Sequence, residues 1–227
     1  MTDSFDRRFE GGDSQPQAAL TRRFNWMWIW LTVGTFAVLA AVMVFTPIGE
    51  TAYVIALNQV ETTEFEVRGD ELWMNGEINS RTHKQFTEIM NENPQITTLV
   101  EEVIPGSLDD DTMIEMAYDV RRRGLNTRLV ANSAIDSGGV DLFLAGVQRT
   151  MAAGAHIGVH SWSNGLRDGA EYPRDAPEHQ QNRSYVEDML GSDDFYWFTI
   201  YAAPSDGIHS MTGQEIHKYG LLTAPIE

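Results

Sequence analysis

The chain has 227 residues, a formal net charge of −17 and no cysteine. Such an excess of Asp and Glu excludes a nucleic-acid partner, which needs clustered Lys and Arg for its phosphates, and the missing cysteines exclude disulfides, thiol nucleophiles and cysteine-bound metals. The length allows one medium globular domain, large enough for a core without covalent staples, plus an appendage.

The appendage comes first. Residues 1–24 are polar and predict a disordered tail; its four acids balance its four arginines, so the negative charge belongs to the residues beyond. No residue from Trp26 to Phe45 is charged, and about 20 apolar residues suffice to cross a bilayer. A transmembrane helix is predicted over 25–46, with Trp26, Trp28 and Trp30 at the headgroup level. Arg7, Arg8, Arg22 and Arg23 precede the span and no Lys or Arg follows until Arg68, which places the tail in the cytoplasm and residues 50–227 outside, in the periplasm if the cell is Gram-negative. A cleaved signal peptide is the competing reading, but the run is long for one and no small-x-small site ends it.

The outer part alternates strand and helix. Strands are predicted at Ala52–Leu57, Glu64–Val67 and Glu71–Met74, the last running into the Asn75-Gly76 turn signal. Ser80 is expected to cap a helix with Phe86, Ile89 and Met90 on one face. Ile96–Val103 is the next strand. Asp109, Asp110 and Asp111 then open a helix that ends at Arg121-Arg122-Arg123-Gly124, with charges of the favourable sign at both ends. Thr127–Ala131 is a strand, followed by a short apolar helix opened by Ser137-Gly138-Gly139 and by the strand His156–His160. The β-α-β order predicts a mostly parallel sheet flanked by helices. Residues 163–178 read as a long loop, a lid candidate, and 179–190 and 194–203 as helices. The capping box Thr212/Glu215 opens a last helix that Gly220 closes.

Ser137 and His160 are the candidate nucleophile and general base. A serine hydroxyl is a poor nucleophile until an imidazole takes its proton, and a serine at a helix start exposes Oγ beside the free N–H of Gly138. The bland alternative makes Ser137 a helix cap and the glycines packing devices. His156 shares the strand parity of His160 but lies inside the strand. Five histidines (His156, His160, His179, His209, His217) stand in the outer half without ligand spacing, so no metal or other cofactor is expected. Trp162, Phe195, Tyr196, Trp197, Phe198 and Tyr201 predict a core-facing helix, or an apolar wall for a substrate.

Over residues 71–223 the chain resembles the ClpP/crotonase superfamily, and specifically exported, membrane-anchored ClpP-class serine hydrolases. The resemblance rests on Asn75-Gly76-Glu77-Ile78, Asn93-Pro94 before a strand, Pro105-Gly106-Ser107, Ser137 eight residues before Ala145-Gly146, His160, and Glu-Ile-His-Lys-Tyr-Gly at Glu215–Gly220. It implies a ClpP/crotonase-like α/β fold and a peptidase-like enzyme that cleaves peptide or ester bonds through a Ser137 acyl-enzyme. Gly106, Ser107 and Gly138 would form its oxyanion hole, and Asp206, or alternatively His209, would be the third triad member. The chain departs from the family at Ser107, where a glycine is usual, and at Asp136, whose carboxylate is expected to point away from the oxyanion. Self-association is implied as well. The alternative reading is an inactive, membrane-tethered interaction or assembly partner; an acyl-CoA enzyme of the same fold fits an exported acidic domain poorly.

Overall fold

The computed structural model describes residues 62–227. The expected tail 1–24, the span 25–46 and the strand Ala52–Leu57 lie outside the described residues, and among these no helix is long and apolar enough to cross a membrane.

The described part is an α/β domain with one seven-stranded sheet. In chain order the elements are β1 (Thr63–Arg68), β2 (Glu71–Gly76), α1 (Thr82–Glu92), β3 (Thr98–Ile104), α2 (Asp110–Arg123), β4 (Asn126–Asp136), α3 (Gly138–Leu144), β5 (Arg149–Met151), β6 (His156–Val159), α4 (Gln180–Leu190), α5 (Asp194–Ala202), β7 (His209–Ser210) and α6 (Gly213–Lys218). The strand order is β1-β2-β3-β4-β6-β7, with β5 also paired to β4. Strands β2, β3, β4 and β6 run parallel, and antiparallel β1 and β7 form the two edges. The expected parallel sheet with flanking helices is present; β7 and β5, two and three residues long, are too short to carry a periodic signal.

Register decides the faces. Leu72 pairs with Leu99, and Met74 with Glu101, which in turn pairs with Leu129, so these side chains share one face. That face is buried beneath the helices. Burying each such apolar side chain stabilises the fold by about 1.5–3 kcal/mol. The other face carries Trp73 with Arg68 stacked on its ring at 4.0 Å, and Glu71 paired to Arg128.

Three local expectations change. Asn79, rather than Ser80, organises the start of α1: its Oδ1 accepts the Arg81 N–H at 2.9 Å, and its own N–H donates to Thr82 Oγ1 at 2.9 Å. Strand β4 extends to Asp136, five residues past the expected end at Ala131, because Ala134, Ile135 and Asp136 gain β6 as a partner. The segment 163–178 is an ordered strap, with a Ser163–Asp168 bridge, one 3-10 turn at Gly169–Glu171 and the start of another at Pro177–His179. The capping box of α6 forms as expected, Thr212 and Glu215 each accepting the other's backbone N–H.

Candidate active site

The site lies where β4 gives way to α3. Ser137 occupies that junction with φ 52° and ψ −122°, and among the described residues it alone has positive φ without being glycine. Such backbone geometry is unfavourable for a side chain and persists only where its surroundings enforce it. Here the enforcement is visible. The Ser137 N–H donates to the Gly158 carbonyl of β6 at 3.1 Å, and its own carbonyl accepts from Val140 at 2.8 Å and Asp141 at 3.3 Å. A sharp strand-to-helix turn of this kind pushes a serine hydroxyl out of the backbone's shadow. Its side chain makes no capping hydrogen bond, so the bland reading of Ser137 as a helix cap fails.

Beside Ser137 runs the Pro105-Gly106-Ser107 segment. Gly106 has φ 148°, open to glycine, and a Cβ added to it would lie 3.4 Å from Ser137 Cβ and 3.8 Å from its Oγ. The backbone approaches still closer at Gly138, where an added Cβ would fall 2.5 Å from Ser107 Cβ and 3.2 Å from Ser107 N. Ser107 N thus lies close to Gly138, whose own N–H follows Ser137 in the chain, and neither N–H meets an acceptor among the described residues. Ser107 lies outside the positive-φ region, so its side chain brings no backbone strain there. Its hydroxyl instead donates to Asp110 Oδ1 at 2.6 Å, fastening this segment to the first turn of α2.

His160 lines the same cavity as Ser137, a space of about 50 Å³. Its Nδ1 lies 2.7 Å from the Ser161 carbonyl oxygen. A carbonyl can only accept, so Nδ1 carries the proton and Nε2 is the basic nitrogen. No hydrogen bond joins His160 to Ser137 among the described residues; the two face a common space.

The structure does not bring the two third-member candidates to His160. Asp206 is exposed in the Pro204–Gly207 turn. His209, in β7, has its Nε2 3.1 Å from both carboxylate oxygens of Glu215 and its ring edge on Phe198 at 5.5 Å. The orienting contact expected from a carboxylate comes instead from the Ser161 carbonyl. Asp136 lies 3.2 Å through Oδ1 from His156 Nε2, across Gly158, so its carboxylate is engaged away from Ser107 and Gly138, and His156 is occupied too.

Two carboxylates in the cavity wall were not singled out from the sequence. Asp141, four residues after Ser137 in an otherwise apolar helix, is pushed up to about 7 by burial, with the charge of Asp110 adding to the effect. Asp110 keeps solvent-exposed surface, yet burial by the protein around it raises its carboxyl, with the charges of Asp109 and Asp111 adding to the effect; the Ser107 hydroxyl pulls the other way. The lone acid in Gly138–Leu144 was the available signal for Asp141. For Asp110, the helix-start reading absorbed it.

The remaining wall sets Val159, Val186, Phe195, Trp162 and Tyr196 beside the polar Asn182 and Thr199. The Tyr196 hydroxyl joins Trp162 Nε1 at 2.9 Å and His179 Nδ1 at 2.6 Å, and thereby ties α5 to both ends of the 163–178 strap. Of the aromatic set, Phe195, Tyr196 and Trp197 are buried while Tyr201 is 56% exposed. Among the described residues no group of histidine and acid side chains is arranged to hold a metal.

Among solved structures, the chain is similar to the 1510-N membrane-bound stomatin-specific protease, in a mutant complexed with a substrate peptide, at 19% identity over 67% of this chain and 71% of that one, with a TM-score of 0.48. It is also similar to an enoyl-CoA hydratase from Shewanella pealeana (10% identity, 74% and 70% covered, TM-score 0.46) and an enoyl-CoA hydratase/isomerase from Cupriavidus metallidurans (18% identity, 71% and 66% covered, TM-score 0.40). At these identities the likeness concerns the arrangement of strands and helices and is silent on activity. No family model matches the chain, and no curated protein matches it in sequence.

Proposed function

We propose that this protein is a serine hydrolase of peptidase-like character, acting through a Ser137 acyl-enzyme. One observation carries the reading: a serine held at φ 52° with its hydroxyl unshared, against two adjacent N–H groups without acceptors. Backbone strain at a serine that caps nothing has no structural use, whereas an exposed nucleophile requires it.

In this mechanism His160 Nε2 takes the Ser137 proton as Oγ attacks the carbonyl carbon of a peptide or ester bond. The Ser107 and Gly138 N–H groups receive the developing oxyanion, each such donor being worth about 3 kcal/mol in the transition state. The imidazolium then protonates the leaving group, and water repeats the cycle on the acyl-enzyme. The cavity is small, with room for a few waters, so its wall would have to move for a substrate larger than that.

The reading includes an anchor: residues 25–46 hold the enzyme in the inner membrane, N-terminus in the cytoplasm and the hydrolase domain in the periplasm or outside the cell. An alkaline-phosphatase fusion after residue 50 tests this; activity is expected, and a stable but inactive fusion would overturn the topology. Self-association follows from the resemblance alone.

Fluorophosphonate labelling of the full chain in detergent tests the chemistry. Labelling is expected for wild type and lost in Ser137→Ala and His160→Ala. A folded wild-type chain that stays unlabelled would support the inactive, membrane-tethered partner, a reading favoured by the missing Ser137–His160 hydrogen bond.

A further inference from the structure

The cavity shared by Ser137 and His160 encloses about 50 Å³. One water-sized group takes roughly 10–15 Å³ of such space, so the cavity admits on the order of four heavy atoms. Val140, Val159, Val186, Phe195 and Tyr196 all bound it, each is at most 3% exposed, and all are packed into the core. Side chains at interior packing density yield little unless their neighbours move as well. Two fixings outside the cavity hold those neighbours. The Tyr185 hydroxyl of α4 donates to the Asp141 carbonyl of α3 at 2.6 Å, joining the helices that carry Val186 and Val140. On the α5 side, the Tyr196 hydroxyl accepts from Trp162 Nε1 at 2.9 Å and meets Nδ1 of His179, which is 1% exposed, at 2.6 Å. Tyr196 cannot swing away without leaving that nitrogen unpaired in the interior.

We infer that this cavity receives the acyl side of the substrate and limits it to a short group: acetyl or propionyl, or glycine or alanine where the bond is a peptide's. This rests on Ser137 being the nucleophile of the hydrolase described above. The bond from Ser137 Oγ to the acyl carbon forms as the bond to the leaving group breaks, and the leaving group departs with the proton carried by His160. The acyl group stays, and a cavity with a fixed wall suits the part that stays. A longer chain, or a branched residue such as leucine, overfills a space whose boundary does not retreat.

The test is turnover of para-nitrophenyl acetate, propionate, butyrate and hexanoate by the full chain in detergent, each set against its uncatalysed hydrolysis and the Ser137→Ala background. The kcat/KM for hexanoate should lie at least about tenfold below that for propionate, the scale of excess methylenes in a closed pocket. The para-nitrophenyl esters of N-acetyl-alanine and N-acetyl-leucine should differ in the same direction, and whichever series turns over faster tells a free acyl group from a peptide. Val186→Ala adds room and Tyr196→Phe releases the wall. Each should raise hexanoate relative to acetate by roughly tenfold, whereas a merely structural loss lowers both together. Tyr196→Phe keeps the ring and serves if Val186→Ala does not fold. A wild type that takes hexanoate as well as acetate, or a ratio unchanged in both variants, overturns the size limit. Fluorophosphonate labelling on the same samples keeps the two readings apart. An enzyme that labels yet shows no preference for short groups loses only the limit; one with neither labelling nor Ser137-dependent turnover loses the hydrolase reading, and the limit falls with it.

Discussion

Gly138 and Ser107 approach so closely that a single methyl group on the glycine would lie 2.5 Å from the serine Cβ. The contact brings the end of the β3 crossover against the first residue of α3, and it is what places Ser107 N close to the residue after Ser137. Gly138→Ala therefore has to push the Ser107 segment away. Overpacking of this sort destabilises by about 1–3 kcal/mol. The functional loss should be larger: separating one oxyanion donor lowers catalysis by roughly 100-fold or more. Labelling rate against urea midpoint separates the two effects, and equal proportional losses would make the contact merely structural.

Ser137 itself offers a test of strain. Ser137→Gly removes the side chain from the one backbone position that penalises it, at φ 52°. The variant should be inactive yet more resistant to urea than Ser137→Ala, by about 1 kcal/mol. A Gly variant less stable than the Ala variant would mean that the turn is relaxed.

Glu101 raises a different question. It is fully buried on the helix-covered face of β3, both carboxylate oxygens lack partners, and burial holds its carboxyl well above the usual range. The folded chain thus keeps the proton while the unfolded chain releases it from about pH 4.5 upward. Stability from this group is complete below that pH and is lost as pH rises towards the folded value. Glu101→Gln should flatten the decline of stability between pH 5 and 8, and Glu101→Leu should stabilise the domain at pH 7 by about 2 kcal/mol. Urea midpoints across that range check both; a wild-type profile that rises with pH would contradict them.

Arg149 closes the far side of the sheet. Its guanidinium, 7% exposed, donates to the carbonyls of Leu221 at 2.6 Å, Gly146 at 3.0 Å and Gly220 at 3.2 Å, so one residue of β5 holds the chain after α6. Arg149→Met leaves the buried carbonyls of Gly146 and Leu221, and the more exposed one of Gly220, without this donor and should destabilise by about 3–5 kcal/mol. Limited proteolysis should then cut first near Leu221. Arg149→Lys should recover only part of the loss, because an ammonium cannot reach three carbonyls in one plane.

Much of this protein was legible in its residues because the signals are local. The Asp109–Gly124 helix with opposite charges at its ends and the Thr212/Glu215 capping box each depend on neighbours within a few positions. The parallel sheet followed from their alternation, and Ser137, Gly138 and His160 from their places at element boundaries. Only tertiary structure decided what stands around His160. Asp206 is close to the expected offset from Gly220 yet turns into solvent, while Asp110 and Asp141 arrive at the cavity from two helices distant in sequence. The replacement of a carboxylate by the Ser161 carbonyl left no trace in the sequence, since every residue carries a carbonyl. Which residues are exposed along an element is set by periodicity, but which charges share a cavity is set by crossover geometry, and that is a property of the folded chain alone.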